Sequence, residues 1–245
     1  MKKLFLSLCL VAVASSAFSQ DMTSKKGTPI LPEANDWSVG ISANPFLSYF
    51  GNLLNGNLNN SSPGWNFLDT NMVITGKMMK DESTAYRAKI RIGFGSSTIT
   101  AAPDTTSGSL KETKTSGMHI NLGAGIQKYR GKGRLKGYYG AEIGFGIGSG
   151  STGWTYNGTP ATGTPTKVEN GSTFDLNLNG FLGAEYFFAP KMSLSGEFTW
   201  GLMMSSTGEG TASSTGSPDV KTGSSSSFGI DTDNAGGSIN LNLYF

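Results

Sequence analysis

Six charged residues recur in one phase of segments that alternate polar and apolar residues: Arg87, Lys89, Arg91, Glu142, Glu185 and Glu197. A β-strand would place such residues on one face, because successive side chains point to opposite sides. Four of the six lie at similar numbers of residues from the nearest predicted turn, and therefore at similar positions along their strands. They are Lys89, Arg91, Glu142 and Glu197. Charges away from water are costly unless paired, so we expect an ion-pair network. A path for protons or ions is the alternative use of such a set.

His119 is the single histidine, and it falls at a height similar to that of Asp175. A histidine and a carboxylate together could act as a general base. However, no GxSxG or HExxH motif accompanies them, and His119 lies on the polar phase of its segment. We therefore interpret His119 as a polar residue at a rim, and predict no catalytic, metal or cofactor-binding residues.

Five cations follow one another without an intervening carboxylate: Lys128, Arg130, Lys132, Arg134 and Lys136. Such a run is usually a solvated turn, and the alternative is a contact for anionic lipid or an acidic partner. The glycine-rich stretches Gly123–Ile126 and Gly144–Gly150 lie within alternating segments with no helix after them, so a nucleotide loop is not predicted. Glycine there would leave space for long charged side chains.

The elements that would position these residues are eight segments with a period of two. They are Trp37–Ile41, Phe67–Met79, Ala85–Ser97, Met118–Lys128, Tyr139–Ile147, Phe174–Phe188, Met192–Leu202 and Ile239–Phe245. Several reach ten residues or more, the length of a tilted membrane strand, whereas soluble strands average about five or six. In Phe67–Met79, the weakest segment, the expected lipid-facing residues are Leu68, Met72, Ile74 and Met78. Phe181 is the main exception to the alternation.

Short and long connections alternate along the chain. The short ones lie around 80–83, 130–137 and 189–191, and the long ones at about 49–66, 97–116, 149–172 and 204–227. The long ones are rich in Gly, Ser, Thr, Asn and Pro, which predicts irregular loops, and the low-complexity 204–227 is expected to be mobile. Trp65 and Trp154 fall in these loops, where tryptophan anchors a sugar or protein ligand or, more often, packs the loop base. Trp37 and Trp200 fit interfacial belts.

The first residues have the layout of a secretory signal peptide. Lys2 and Lys3 precede an apolar run, and small residues at Ala17 and Ser19 predict cleavage after residue 19. This segment, 1–19, contains Cys9, the single cysteine. Residues 20–36 would form a short, polar and flexible lead, and 37–245 a single domain. Without Lys2 and Lys3, 17 cations balance 17 carboxylates, which argues against a nucleic-acid partner.

From Trp37 to Phe245 the chain resembles the small OmpA-like and OmpX-like outer-membrane barrels. The resemblance rests on the eight alternating segments, the hairpin AEYFFAPKMSLSGEF (Ala184–Phe198) and the terminal INLNLYF. It implies an all-β, eight-stranded antiparallel transmembrane up-and-down β-barrel in a bacterial outer membrane, with both termini in the periplasm and four extracellular loops. It also implies that the barrel-assembly machinery recognises Phe245. The peptidoglycan-binding domain of full OmpA-type proteins is expected to be absent.

The expected function is non-enzymatic: a structural or interaction role in the envelope, with outer-membrane lipid and an extracellular or envelope protein as partners. Three alternatives remain at this point, namely an accessory component of an envelope secretion or assembly complex, a narrow passive porin and a lipid-modifying barrel enzyme. A soluble, secreted all-β domain is the alternative fold. Conductance would distinguish a porin, and co-purification an accessory component.

Overall fold

A computed structural model describes residues 22–42, 74–101, 110–157, 159–160 and 165–245. The expected signal peptide, the loop that contains Trp65, and the first part of the weak strand with Leu68 and Met72 lie outside the described residues. Within them the chain forms strands, turns and bends. No helix long and apolar enough to cross a membrane occurs in this part of the chain.

Twelve strands are present in the described residues. They are β1 (Trp37–Ser42), β2 (Ile74–Asp81), β3 (Thr84–Ala101), β4 (Lys111–Arg130), β5 (Leu135–Tyr156), β6 (Thr159–Pro160), β7 (Pro165–Glu169), β8 (Thr173–Ala189), β9 (Met192–Thr207), β10 (Thr211–Ser214), β11 (Ser217–Lys221) and β12 (Ser225–Tyr244).

Eight of these strands form a closed antiparallel ring, in the order β1, β2, β3, β4, β5, β8, β9 and β12. β12 returns to β1, with Leu243 opposite Val39. β5 passes directly to β8, with Leu135 opposite Tyr186. The predicted all-β class and the antiparallel set of eight strands are therefore confirmed.

Side chains alternate around this ring between a buried interior and an exposed outer face. On β3, for example, Arg87 is 5% exposed and its neighbour Tyr86 is 42% exposed. The apolar phase faces outward on other strands too, as at Ile143 on β5 and Leu182 on β8. Phe181, the exception in the sequence pattern, is buried inside. The ring thus has an apolar exterior, and its interior holds charged and polar side chains beside a cluster of buried apolar ones.

Tight turns join neighbouring strands at one end of the ring, after Asp81, Arg130 and Ala189. Gly131 has φ 114° and Lys191 has φ 57°, so both turns use the left-handed region. Asp81 accepts hydrogen bonds from the amide and hydroxyl of Ser83 (2.8 and 2.7 Å). These bonds hold the pKa of Asp81, the last residue of β2, below its ordinary value. We call this end the turn end and the opposite one the loop end.

The prediction of irregular long loops was wrong where the structure describes them. β3 and β4 continue past their predicted limits until Ala101 lies opposite Lys111. Region 149–172 contains β6 and β7, and the low-complexity region 204–227 contains β10 and β11. Backbone hydrogen bonds do not depend on side-chain hydrophobicity, and threonine favours strands, so a hairpin can extend through a polar sequence.

The described part of the N-terminal lead is folded, so the prediction of a flexible lead was wrong. Ile30 is 2% exposed and packs in the main apolar cluster, which lies toward the turn end. The amide of Asn35 donates to the carbonyl of Met79 (2.8 Å), and Asp36 forms an ion pair with Lys191. Ile30 and Leu31 are an apolar pair within a polar segment, and burying them fixes residues 22–36 as a cap over the turn end.

Candidate functional site

The most buried charge in the described residues is Glu185 on β8, which lies inside the ring near the turn end. Lys77 on β2 forms an ion pair with its carboxylate at 2.9 Å. The hydroxyls of Tyr129 and Tyr244 donate to it at 2.8 Å each, and Asn242 Nδ2 donates at 3.1 Å. Ser193 Oγ also donates to it. A carboxylate with this many donors is a fixed structural anion, since its lone pairs are occupied.

A second cluster lies next to the first inside the ring, between β3, β5 and β9, and Lys77 is the cross-strand neighbour of its Arg87. Arg87 binds Glu197 through two nitrogens, at 2.6 and 3.0 Å, and approaches Glu142 at 3.3 Å. Lys89 pairs with the same two carboxylates, at 2.8 Å from Glu142 and 3.4 Å from Glu197. Two cations therefore face two anions in a compact, charge-neutral network, with the fork geometry that favours arginine and carboxylate pairing.

The structure thus brings together four of the six predicted network residues: Arg87, Lys89, Glu142 and Glu197. Glu185 belongs to a separate cluster, whose cation, Lys77, is not among the six predicted residues. Lys77 lies between Gly76 and Met78 on the polar phase of the weak segment Phe67–Met79. This alternation is the sequence signal that indicates an inward-facing side chain. Arg91 Nε donates to His119 Nε2 at 2.6 Å.

Aromatic rings and glycines shape the space around these charges. The guanidinium of Arg87 lies 4.1 Å from the centre of the Phe181 ring, a cation–π contact that accounts for the inward phenylalanine. At Gly140 a Cβ atom would come within 2.5 Å of that ring and 2.0 Å of the Ile126 carbonyl. At Gly93 it would come within 2.3 Å of the His119 ring. Glycine is therefore required at Gly140 by the close approach of the Ile126 backbone, whereas at Gly93 a Cβ atom would require the His119 ring to move.

The predicted basic run divides between the surface and the interior. Lys128, Arg130 and Lys132 are exposed, and Arg130 donates to the hydroxyl of Tyr139 at 3.2 Å. Arg134 is partly buried. Lys136 is 6% exposed and donates to the carbonyl of Glu82 at 3.3 Å, so it is not a solvated turn residue. The alternation of β5 places Lys136 inward, a consequence that the spacing of the cations alone did not reveal.

A polar groove of about 680 Å³ lies at the loop end. It is lined by Thr98, Glu112, Lys114, Ser116, Ser151, Gly153, Trp154, Thr155, Thr166 and Lys167. Among the described residues, no group of three or more His, Cys, Asp or Glu side chains could hold a metal ion. The predicted assembly signal, Phe245, stacks on Trp37 at the turn end, with ring centres 4.7 Å apart.

No family model, no curated protein and no solved structure matches this chain.

Proposed function

We propose that the chain is an eight-stranded transmembrane β-barrel of a bacterial outer membrane, similar to the OmpA-like and OmpX-like barrels. Its role would be structural, or would be interaction with an envelope or extracellular partner through its loop end. The observation that carries this proposal is the inverted polarity of the ring. Buried ion pairs fill the interior, and large apolar side chains cover the exterior.

An exterior of this kind is stable in a hydrocarbon solvent. On β3 the outward series runs from Tyr86 through Ile90 and Ile92 to Phe94, and each of these side chains is at least 40% exposed. Eight residue steps at about 3.3 Å, inclined by roughly 40°, span about 20 Å, close to the ~25 Å apolar band of outer-membrane barrels. A soluble protein rarely exposes a continuous apolar surface of this extent.

Aromatic residues mark both limits of the outer face. Tyr86 and Tyr139 lie toward the turn end, while Phe94, Phe145 and Phe174 lie toward the loop end. Phe145 and Phe174 meet edge to face, with ring centres 4.9 Å apart. Such girdles are typical of the two membrane interfaces. The short turns at one end and the long hairpins at the other support a periplasmic turn end.

The interior favours a structural role over that of a passive porin. An eight-stranded ring is just wide enough for side chains to fill it. Here the two carboxylate clusters cross the interior, and Ile30 packs beneath them as part of the cap. We therefore expect no measurable single-channel conductance in planar bilayers.

The test is to fractionate cells that produce the full chain and to run the purified protein on a gel with and without boiling. We expect the protein in the outer-membrane fraction and a change in mobility on boiling, because a folded barrel resists detergent at room temperature. Its variant Leu182→Arg, a charge in the middle of the apolar face, should lose part of the unboiled folded band. A soluble protein with no mobility change would refute the proposal.

A further inference from the structure

The groove at the loop end has a regular construction across four strands. Thr98 on β3, Lys114 on β4, Gly153 on β5 and Lys167 on β7 are successive neighbours in one cross-strand row. Gly153 has no side chain, so it leaves an open space between the two lysines. The volume of about 680 Å³ lies within the usual range for small-molecule sites, about 300–1,000 Å³.

Five of the ten residues that line the groove carry a hydroxyl group, and three carry a charge. Ser116 and Ser151 share a hydrogen bond at 2.9 Å, and the Thr155 hydroxyl donates to Glu112 at 3.2 Å. Lys167 forms an ion pair with Glu169, whereas Lys114 forms none among the described residues. Trp154 also lines the groove. The lining holds two lysines and one glutamate, and Lys167 is already paired with Glu169. Hydroxyl groups with so few free charges match a hydroxyl-rich ligand better than a strongly anionic one.

The position of the groove narrows the choice of ligand. Side chains alternate along β4, so Ser116 and Lys114 lie on the same face as Met118 and Leu122. This is the outward face, and Met118 and Phe94, which are paired, form the upper row of the apolar surface. The groove therefore begins one side-chain step beyond the apolar surface, at the level where lipid headgroups would lie.

We propose that this groove binds a saccharide chain, and that its position favours the sugar headgroup of an outer-leaflet glycolipid as the source. The choice of source rests on the proposed membrane location, but the saccharide chemistry does not. Lys114 and the hydroxyls of Ser116, Ser151 and Thr155 would hydrogen-bond sugar hydroxyls or acidic substituents. Gly153 provides the floor on which a sugar ring lies.

Two substitutions test the groove without disturbing the ring. A Cβ at Gly153 would lie 3.7 Å from the nearest atom, the Thr166 carbonyl, which is an ordinary contact, so Gly153→Phe fills the groove at little cost. Gly229→Phe on β12 is the matched control, because a Cβ there has nothing within 4 Å and Gly229 does not line the groove. Lys114→Gln removes the cation that lacks an ion pair.

The experiment measures binding to the full protein in detergent micelles, using rough-type lipopolysaccharide in one arm and its delipidated core oligosaccharide in the other. We expect both probes to bind the wild type and the Gly229→Phe control. Gly153→Phe should abolish binding of both, and Lys114→Gln should weaken it about tenfold, as expected for one charged hydrogen bond.

The outcomes distinguish the groove from the membrane location. If glycolipid binds equally to wild type and Gly153→Phe, or if a folded, heat-modifiable wild type binds neither probe, the groove proposal is refuted and the barrel proposal stands. If only the free oligosaccharide binds in a Gly153-dependent manner, the saccharide chemistry is upheld and the glycolipid source is refuted. A protein without the heat-dependent shift refutes the barrel proposal, and the oligosaccharide arm still decides the groove.

Discussion

The turn end and the loop end of the ring each contain a lysine–glutamate ion pair, but the two pairs differ in their exposure to water. At the turn end, Lys77 and Glu185 are 4% and 0% exposed, and five side chains bind one carboxylate. At the loop end, Lys221 and Glu209 lie 2.7 Å apart, yet they are 79% and 55% exposed. Water screens the second pair and cannot reach the first. Ion pairs with similar N–O distances therefore do not contribute equally to stability.

The largest effect is expected from removing the carboxylate at the turn end. Glu185→Leu leaves Lys77 buried without its anion, which should lower the free energy of unfolding by about 3–5 kcal/mol. Urea titration in detergent micelles, followed by loss of the unboiled gel band, measures this change. The double variant Lys77→Met, Glu185→Leu should recover part of the loss, because no unpaired charge remains. A single variant within 1 kcal/mol of the wild type, roughly the value of a surface pair, would contradict the account.

A smaller loss in the free energy of unfolding is expected from a substitution in the second cluster, because two cations there share the same two carboxylates. Arg87→Leu removes the bidentate contact with Glu197, but Lys89 stays near both carboxylates. We expect a loss of about 2–4 kcal/mol in the same titration. Lys89→Met is the matched control and should cost less, because the Lys89 side chain is 25% exposed and Arg87 still pairs with both acids. The reverse order of the two losses would show that Lys89 is the main counter-ion.

Loss of the Ile30 side chain should open the cap, residues 22–36, without unfolding the ring. Ile30→Ala deletes most of a buried side chain and should favour opening of the cap by about 2 kcal/mol. Cleavage by trypsin after Lys25 or Lys26 should then accelerate by more than tenfold, while the heat-dependent gel shift is retained. Met22→Ala, at an exposed residue of the same segment, is the control. Equal cleavage rates for the two variants would mean that Ile30 does not hold the cap.

The smallest change in the free energy of unfolding is expected from removing the exposed ion pair at the loop end. Lys221→Met removes the exposed pair with Glu209 and should change the free energy of unfolding by less than about 1 kcal/mol. The same urea titration measures it beside Lys77→Met, which changes the same residue type in the buried pair. A loss at Lys221 as large as that at Lys77 would remove the distinction between the two ends.

The sequence predicted the turn end better than the loop end, for a physical reason. Where one face is apolar and the other polar, a period of two fixes both the strand and its orientation, as in Tyr86–Phe94. At the loop end neither face is consistently apolar, so the pattern carries no such information, and it does not predict β7, β10 and β11. Partners across the ring were also harder to predict, since alternation gives the face but not the neighbour. For that reason the pairing of Lys77 with Glu185 is not predicted from the sequence.

The measurement that tests the central claim most directly compares two exposed apolar residues, Ile92 on the outer face and Val220 at the loop end. Each is replaced by cysteine in a Cys9→Ser background, and a nitroxide label is attached in reconstituted bilayers. If the ring spans the membrane, the label at Ile92 collides with dissolved oxygen more than with a water-soluble nickel chelate, and the label at Val220 does the reverse. Equal access of the chelate to both labels would contradict a membrane-spanning ring.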